Sequence, residues 1–146
     1  RQPPQSYLAD ASGNRLAWIE ENRVEGAHPY APFLASHRTT EFGTIPAEDG
    51  TPLHWMMITP PLEPGKRYPV FSYHYGGPHA QVVSKGWQGA LAQAIVDKGY
   101  IYFAIDGRGS DNRGVKFETA IARAMGTVEV EAHRWGVELE PFPGLT

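Results

Sequence analysis

Two glycine turns hold the side chains best placed to do chemistry. Tyr75-Gly76-Gly77-Pro78 follows an apolar run from Pro69 to Tyr75, and Asp106-Gly107-Arg108-Gly109-Ser110 follows a second run from Tyr100 to Ile105. Glycine lets backbone N–H groups come close to a ligand, so a repeated strand, glycine turn and helix is how an α/β enzyme builds the rim on which a substrate sits. Three chemistries use such a turn, and each demands further residues at fixed offsets. A dinucleotide fingerprint starting at Gly107-x-Gly109 needs glycine at 112, where Asn112 stands. A phosphate-cradling loop starting at Gly109-x-x-x-x-Gly114 needs lysine next, but Val115 is there and Lys116 comes one residue late. A nucleophile elbow needs Gly-x-Ser-x-Gly; Ser110 comes nearest, and no serine in the sequence has both glycines.

The remaining candidates read as ordinary structure. His74, within the strand-like run, and His79, in the following loop, lack the spacing of a zinc site, and with His54 they read as polar edge residues with satisfied hydrogen bonds. Glu20-Glu21 and Glu129-x-Glu131 read as solvated faces. On residue type alone Tyr75 is a core aromatic. No metal and no cofactor is expected from these patterns. A formal charge of -3 provides no basic footprint for nucleic acid, and no apolar run approaches a membrane span. Cysteine is absent, which excludes disulfides and thiolate metal sites and leaves the compartment open.

The elements that must carry the two turns follow from periodicity. Asp10 to Arg15 is turn chemistry, with Leu16 to Glu20 a short strand leaving a hairpin. Residues 25–40 have neither period and read as a linker pinned by Tyr30, Phe33 and Leu34. Gly43 to Glu48 and Leu53 to Thr59 form a hairpin around Asp49-Gly50. Val70 to Tyr75 is too uniformly bulky for a half-solvated strand and is expected inside a sheet. Trp87, Leu91 and Ile95 recur every fourth residue ahead of Gly99, predicting an amphipathic crossover helix. Ile101 to Ile105 is a buried strand, and Phe117, Ile121 and Met125 predict a second helix up to Gly126. This order predicts an α/β fold with a parallel sheet and right-handed crossovers.

Several motifs in order, from about Asn14 to Glu131, carry a resemblance. They are Asn14-Arg15-Leu16-Ala17-Trp18-Ile19-Glu20-Glu21-Asn22, His28-Pro29-Tyr30, Glu41-Phe42-Gly43-Thr44, Ala47-Glu48-Asp49-Gly50, Tyr68-Pro69-Val70, the two glycine turns, and Gly126-Thr127-Val128-Glu129-Val130-Glu131. Together they resemble the prolyl oligopeptidase family of serine peptidases, most closely its dipeptidyl peptidase IV branch. The resemblance implies the N-terminal half of an α/β-hydrolase domain preceded by the last strands of a β-propeller. Residues 1–41 would be the propeller exit and linker, 42–131 the partial peptidase domain, and 132–146 a divergent tail.

The resemblance also implies roles. The Tyr75 hydroxyl would donate to the oxyanion of a tetrahedral intermediate, Gly76 and Gly77 would clear space for it, and Arg108 would anchor loops through hydrogen bonds. The nucleophile, acid and histidine of the triad would follow downstream, so this chain alone is expected to hydrolyse nothing. Arg1, with no Met before it, reads as internal to a longer chain, and Pro143 to Thr146 is expected to reflect a reading-frame slip. The implied partner is a peptide substrate that loses an N-terminal dipeptide, and members of the family often homodimerise. The alternative is a non-catalytic interaction module or pseudoenzyme fragment of the same fold.

Overall fold

A computed structural model describes residues 2–138. The first unit is a hairpin of β1 (Ser6–Ala9) and β2 (Arg15–Glu20), joined by a turn in which the Asp10 carboxylate accepts the backbone N–H groups of Ser12 and Asn14. The strand expected over Leu16 to Glu20 is thus present, paired antiparallel with the strand before it. The linker is pinned through Tyr30 as expected, whereas Phe33 and Leu34, also expected as anchors, are exposed. Tyr30 and Trp87 meet edge to face at 5.1 Å, and His37 stacks on the same indole. The buried Gln93 amide donates to the Arg38 carbonyl and accepts from its N–H. A single 3-10 turn, Ala31–Phe33, interrupts the linker.

The main sheet contains β3 (Glu41–Pro46), β4 (Pro52–Ile58), β5 (Val70–Tyr73) and β6 (Ile101–Asp106), in the order β3-β4-β6-β5. The Asp49-Gly50 turn closes β3 on β4, with Gly50 at φ +80° and Asp49 accepting the Thr51 N–H. Gly43 lies opposite Trp55 in this pair, and the indole occupies the space where a side chain at 43 would project. All six residues of β6 are buried, and the five apolar ones from Ile101 to Ile105 are what the strand at the centre of a two-sided core requires. Leu53, Met57, Ile101, Phe103 and Ile105 fill one face; Met56, Ile58, Tyr102 and Ala104 fill the other with Ala92 and Val96 of α1 (Gly89–Asp97).

Four expectations need correction. The sheet is mixed: β5 and β6 are parallel across α1, whereas β4 runs antiparallel to both β3 and β6, because hairpin closure fixes its direction. β5 lies at the edge, not in the interior, and Val70, Phe71 and Tyr73 are all exposed; it also ends at Tyr73, so His74 lies just past the strand. The helix over 89–97 turns Ala92, Gln93 and Val96 inward and leaves Leu91 74% exposed. Two apolar stripes compete there, and the smaller side chains fit closer to the sheet.

The second predicted helix breaks into α2 (Val115–Glu118) and a 3-10 turn, Thr119–Ile121, before the chain turns extended at Ala122. Phe117 and Ile121 are buried as that helix requires, but Met125 lies beyond the break and is exposed. The last element, α3 (Val128–Glu138), runs unbroken through residue 132. The segment Glu140 to Thr146, expected to depart from the family pattern, lies outside the described residues.

Candidate active site

The parallel pairing of β5 with β6 brings both glycine turns to the same, carboxyl end of the sheet, where open α/β sheets place their ligands. Glycines at 107 and 109 are what allow the surrounding elements to close on these turns. A side chain at Gly76 would meet Glu129, and one at Gly107 would place its Cβ 2.9 Å from the Ala132 Cβ. The first turns of α3 therefore lie directly over both loops. At Gly109 φ is +108°, and an added Cβ would sit 2.8 Å from the Ile121 Cβ.

Tyr75 stands two residues past the end of β5 and is 54% exposed, so it is not the core aromatic that residue type alone suggests. Its ring lies over Gly77: a Cβ there would come within 3.0 Å of the Tyr75 Cε1. Among the described residues no hydrogen bond engages the Tyr75 hydroxyl, which leaves it available as a donor.

Arg108 joins three motifs that are far apart in sequence. Its Nη1 donates to Asp49 Oδ2 at 2.9 Å and its Nη2 to Glu131 Oε2 at 3.0 Å, tying the β3–β4 turn and α3 to the loop after β6. The guanidinium is largely buried while both carboxylates remain half exposed.

Asp106 supplies a second tie. Its carboxylate, only 4% exposed, accepts the Val82 N–H at 2.8 Å and the Val83 N–H at longer range. Burial pushes its carboxyl above the ordinary value, and the two N–H groups work against that shift. The loop leaving Tyr75-Gly76-Gly77-Pro78 is thereby held to the end of β6. Sequence reasoning assigned Asp106 no role, although a carboxylate closing an otherwise apolar strand is a signal that it has a fixed partner.

His74, read from the sequence as a polar edge residue, faces a second histidine. Its ring lies 4.6 Å from that of His133, in a cleft of about 610 Å³ between β5 and α3 that Ser72, Gly76, Glu129 and Val130 also line. His133 Nδ1 is 2.6 Å from the Glu129 carbonyl oxygen, which can only accept, so this nitrogen carries the proton and buried Nε2 keeps its lone pair. Burial lowers the His133 pKa from the ordinary 6.5, with the neighbouring His74 acting in the same direction. Glu129 accepts the Gly126 N–H through Oε1 at the start of α3.

The comparisons with known proteins bear on the family and the fold. Residues 87–137 match the prolyl oligopeptidase family. Dipeptidyl peptidase 8 of mouse and of human are each 33% identical over 109 residues, 72% of this chain and 12% of theirs. "Probable dipeptidyl peptidase 4" of Aspergillus flavus is 37% identical over 60% of this chain and 12% of its own length. Among solved structures, one from Bacteroides ovatus, provisionally assigned as a dipeptidyl aminopeptidase IV, superposes with a TM-score of 0.75 at 40% identity, covering 94% of this chain and 19% of that one. Porphyromonas gingivalis dipeptidyl peptidase 4 shares the fold, with a TM-score of 0.72 over 87% of this chain and 18% of its own. The chain thus spans about one eighth of the curated relatives it matches and under one fifth of these solved chains. With the motif order, the family match and the superposed sheet in agreement, the chain belongs to the prolyl oligopeptidase family, and the relatives it resembles are dipeptidyl peptidases.

Proposed function

We propose that this chain is part of a serine-type peptidase that releases dipeptides from peptide amino termini, and that Tyr75 donates its hydroxyl to the oxyanion formed during acyl transfer. The observation that carries this reading is the position of Tyr75: exposed, just beyond β5, with its ring lying over Gly77. A phenol near a strand end, with no other hydrogen bond among the described residues, can meet charge that develops only in the transition state. Asp106 steadies the loop that follows it, and Arg108 braces the neighbouring turn against α3. In this reading the β1–β2 hairpin is the end of a propeller, residues 42–131 are the first half of the hydrolase domain, and the triad is supplied by the rest of the protein. Homodimerisation would follow family habit.

The nucleophile, its base and the second oxyanion donor are all required for turnover. The 146-residue chain should therefore leave a prolyl dipeptide chromogenic substrate intact, while the protein that carries this chain together with the triad should cleave it. Labelling of the isolated chain by a serine-directed fluorophosphonate would contradict this assignment. A second reading, a non-catalytic interaction module, is favoured by the exposed edge strand β5, whose Val70, Phe71 and Tyr73 leave a surface suited to strand addition. Sedimentation separates the two. A module should form a defined complex through β5, and a peptidase segment should show substrate cleavage once the triad is restored.

A further inference from the structure

We infer that His79, Asp111 and Glu118 form a binding site for a divalent transition-metal ion, with Zn²⁺ the best-matched candidate. This inference does not depend on the peptidase reading. One potential ligand atom from each residue lies within 4.8 Å of the other two. The three come from separate segments: His79 follows the Tyr75-Gly76-Gly77-Pro78 turn, Asp111 follows Ser110, and Glu118 closes α2. An imidazole nitrogen with two carboxylate oxygens is a donor set for first-row divalent ions, since imidazole favours Zn²⁺ over Mg²⁺ or Ca²⁺ and water can complete the sphere.

The surroundings support this assignment. His79 Nδ1 lies 3.5 Å from Asp111 Oδ1, close enough to share an ion. Glu118 is already aimed, because its Oε1 accepts the Asn112 N–H at 3.1 Å. The Asn112 side chain in turn donates to Gln81 Oε1 at 2.8 Å, so the loops that bear His79 and Asp111 are held together without the metal. Two carboxylates gathered on one small surface repel each other, and a dication between them relieves that repulsion. Bound metal would clasp the loop after Tyr75 to the loop after β6, beside the tie that Asp106 already makes.

Calorimetric titration of Zn²⁺ into the full 146-residue chain tests the site, alongside His79→Ala and the near-isosteric pair Asp111→Asn/Glu118→Gln. The expected result is one tight Zn²⁺ per chain, weakened at least about 100-fold in either variant, with Mg²⁺ giving no comparable binding. Because a variant can disturb folding, the parent chain is also followed by NMR. Zn²⁺ should shift the His79 ring signals at lower metal concentration than those of His74 and His133. Zn²⁺ affinity unchanged in both variants, no Zn²⁺ binding by the parent, or earlier shifts at His74 and His133 would each overturn the assignment.

Discussion

Gly109→Ala is the substitution whose cost the structure specifies most fully. The residue sits in the turn after β6 at φ +108°, where an L side chain is strained by roughly 1–3 kcal/mol. The new methyl would also meet Ile121 at 2.8 Å from Cβ, 3.0 Å from Cγ2 and 3.1 Å from Cδ1. Ile121 is 4% exposed and cannot swing into solvent, so the contact must be relieved by displacing a packed element, an overpacking cost of roughly 1–3 kcal/mol. The Gly109 N–H donates to the Phe117 carbonyl at 2.9 Å, which ties the turn to α2 and blocks the easiest escape. The expected loss is therefore about 2–6 kcal/mol, a large share of the stability of an ordinary domain. Urea denaturation of the parent and variant chains measures it. A second step separates the two causes: Ile121→Ala removes the Cγ2 and Cδ1 contacts and leaves only the Cβ contact, so in that background Gly109→Ala should cost less than in the parent by the share those two contacts carry. A destabilisation below about 0.5 kcal/mol, or a cost that Ile121→Ala leaves unchanged, would refute the packing argument.

Two further perturbations probe the supports of the site. Arg108→Ala should destabilise the chain by about 1–2 kcal/mol, a modest figure because the Asp49 and Glu131 carboxylates are half solvated; a double-mutant cycle with Glu131→Gln should recover part of it as coupling, and zero coupling would contradict the ion pair at 3.0 Å. Acidification should weaken the fold through His133. Its folded pKa lies below the ordinary 6.5, so its contribution is complete above that value and is lost as pH falls through the folded pKa. The groups facing it are His74, Glu129 and Asp106, and His133→Gln should flatten the fall in urea midpoint between about pH 7.5 and pH 5, whereas an unchanged profile would assign the pH dependence to other groups.

What the sequence revealed and what it hid have physical causes. The β3–β4 hairpin was legible because Asp49-Gly50 demands a particular backbone at the turn, and β6 because the five residues Ile101 to Ile105 form an unbroken apolar run. Strand order was not legible, since β5 is as bulky as β6 and only tertiary pairing makes one the edge and the other the centre. Periodicity could not choose between the Leu91 stripe and the Ala92–Val96 stripe of α1, because both are apolar at helical spacing. The two glycine turns were found as motifs, but the reason for Gly107 and Gly109 lies in Ala132 and Ile121, more than ten residues on, whose approach no local pattern announces. Arg108 likewise meets Asp49 and Glu131, 59 and 23 residues away. His133 gave no signal at all until α3 brought it against His74.

The most direct measurement is the turnover of a prolyl dipeptide chromogenic substrate by the complete peptidase that carries this chain, with and without Tyr75→Phe. The substitution keeps the ring over Gly77 and removes only the hydroxyl, so kcat should fall about 100- to 1,000-fold while KM changes little. If the Tyr75→Phe enzyme turns over at the parental rate, the phenol is not the oxyanion donor and the account of this site is wrong.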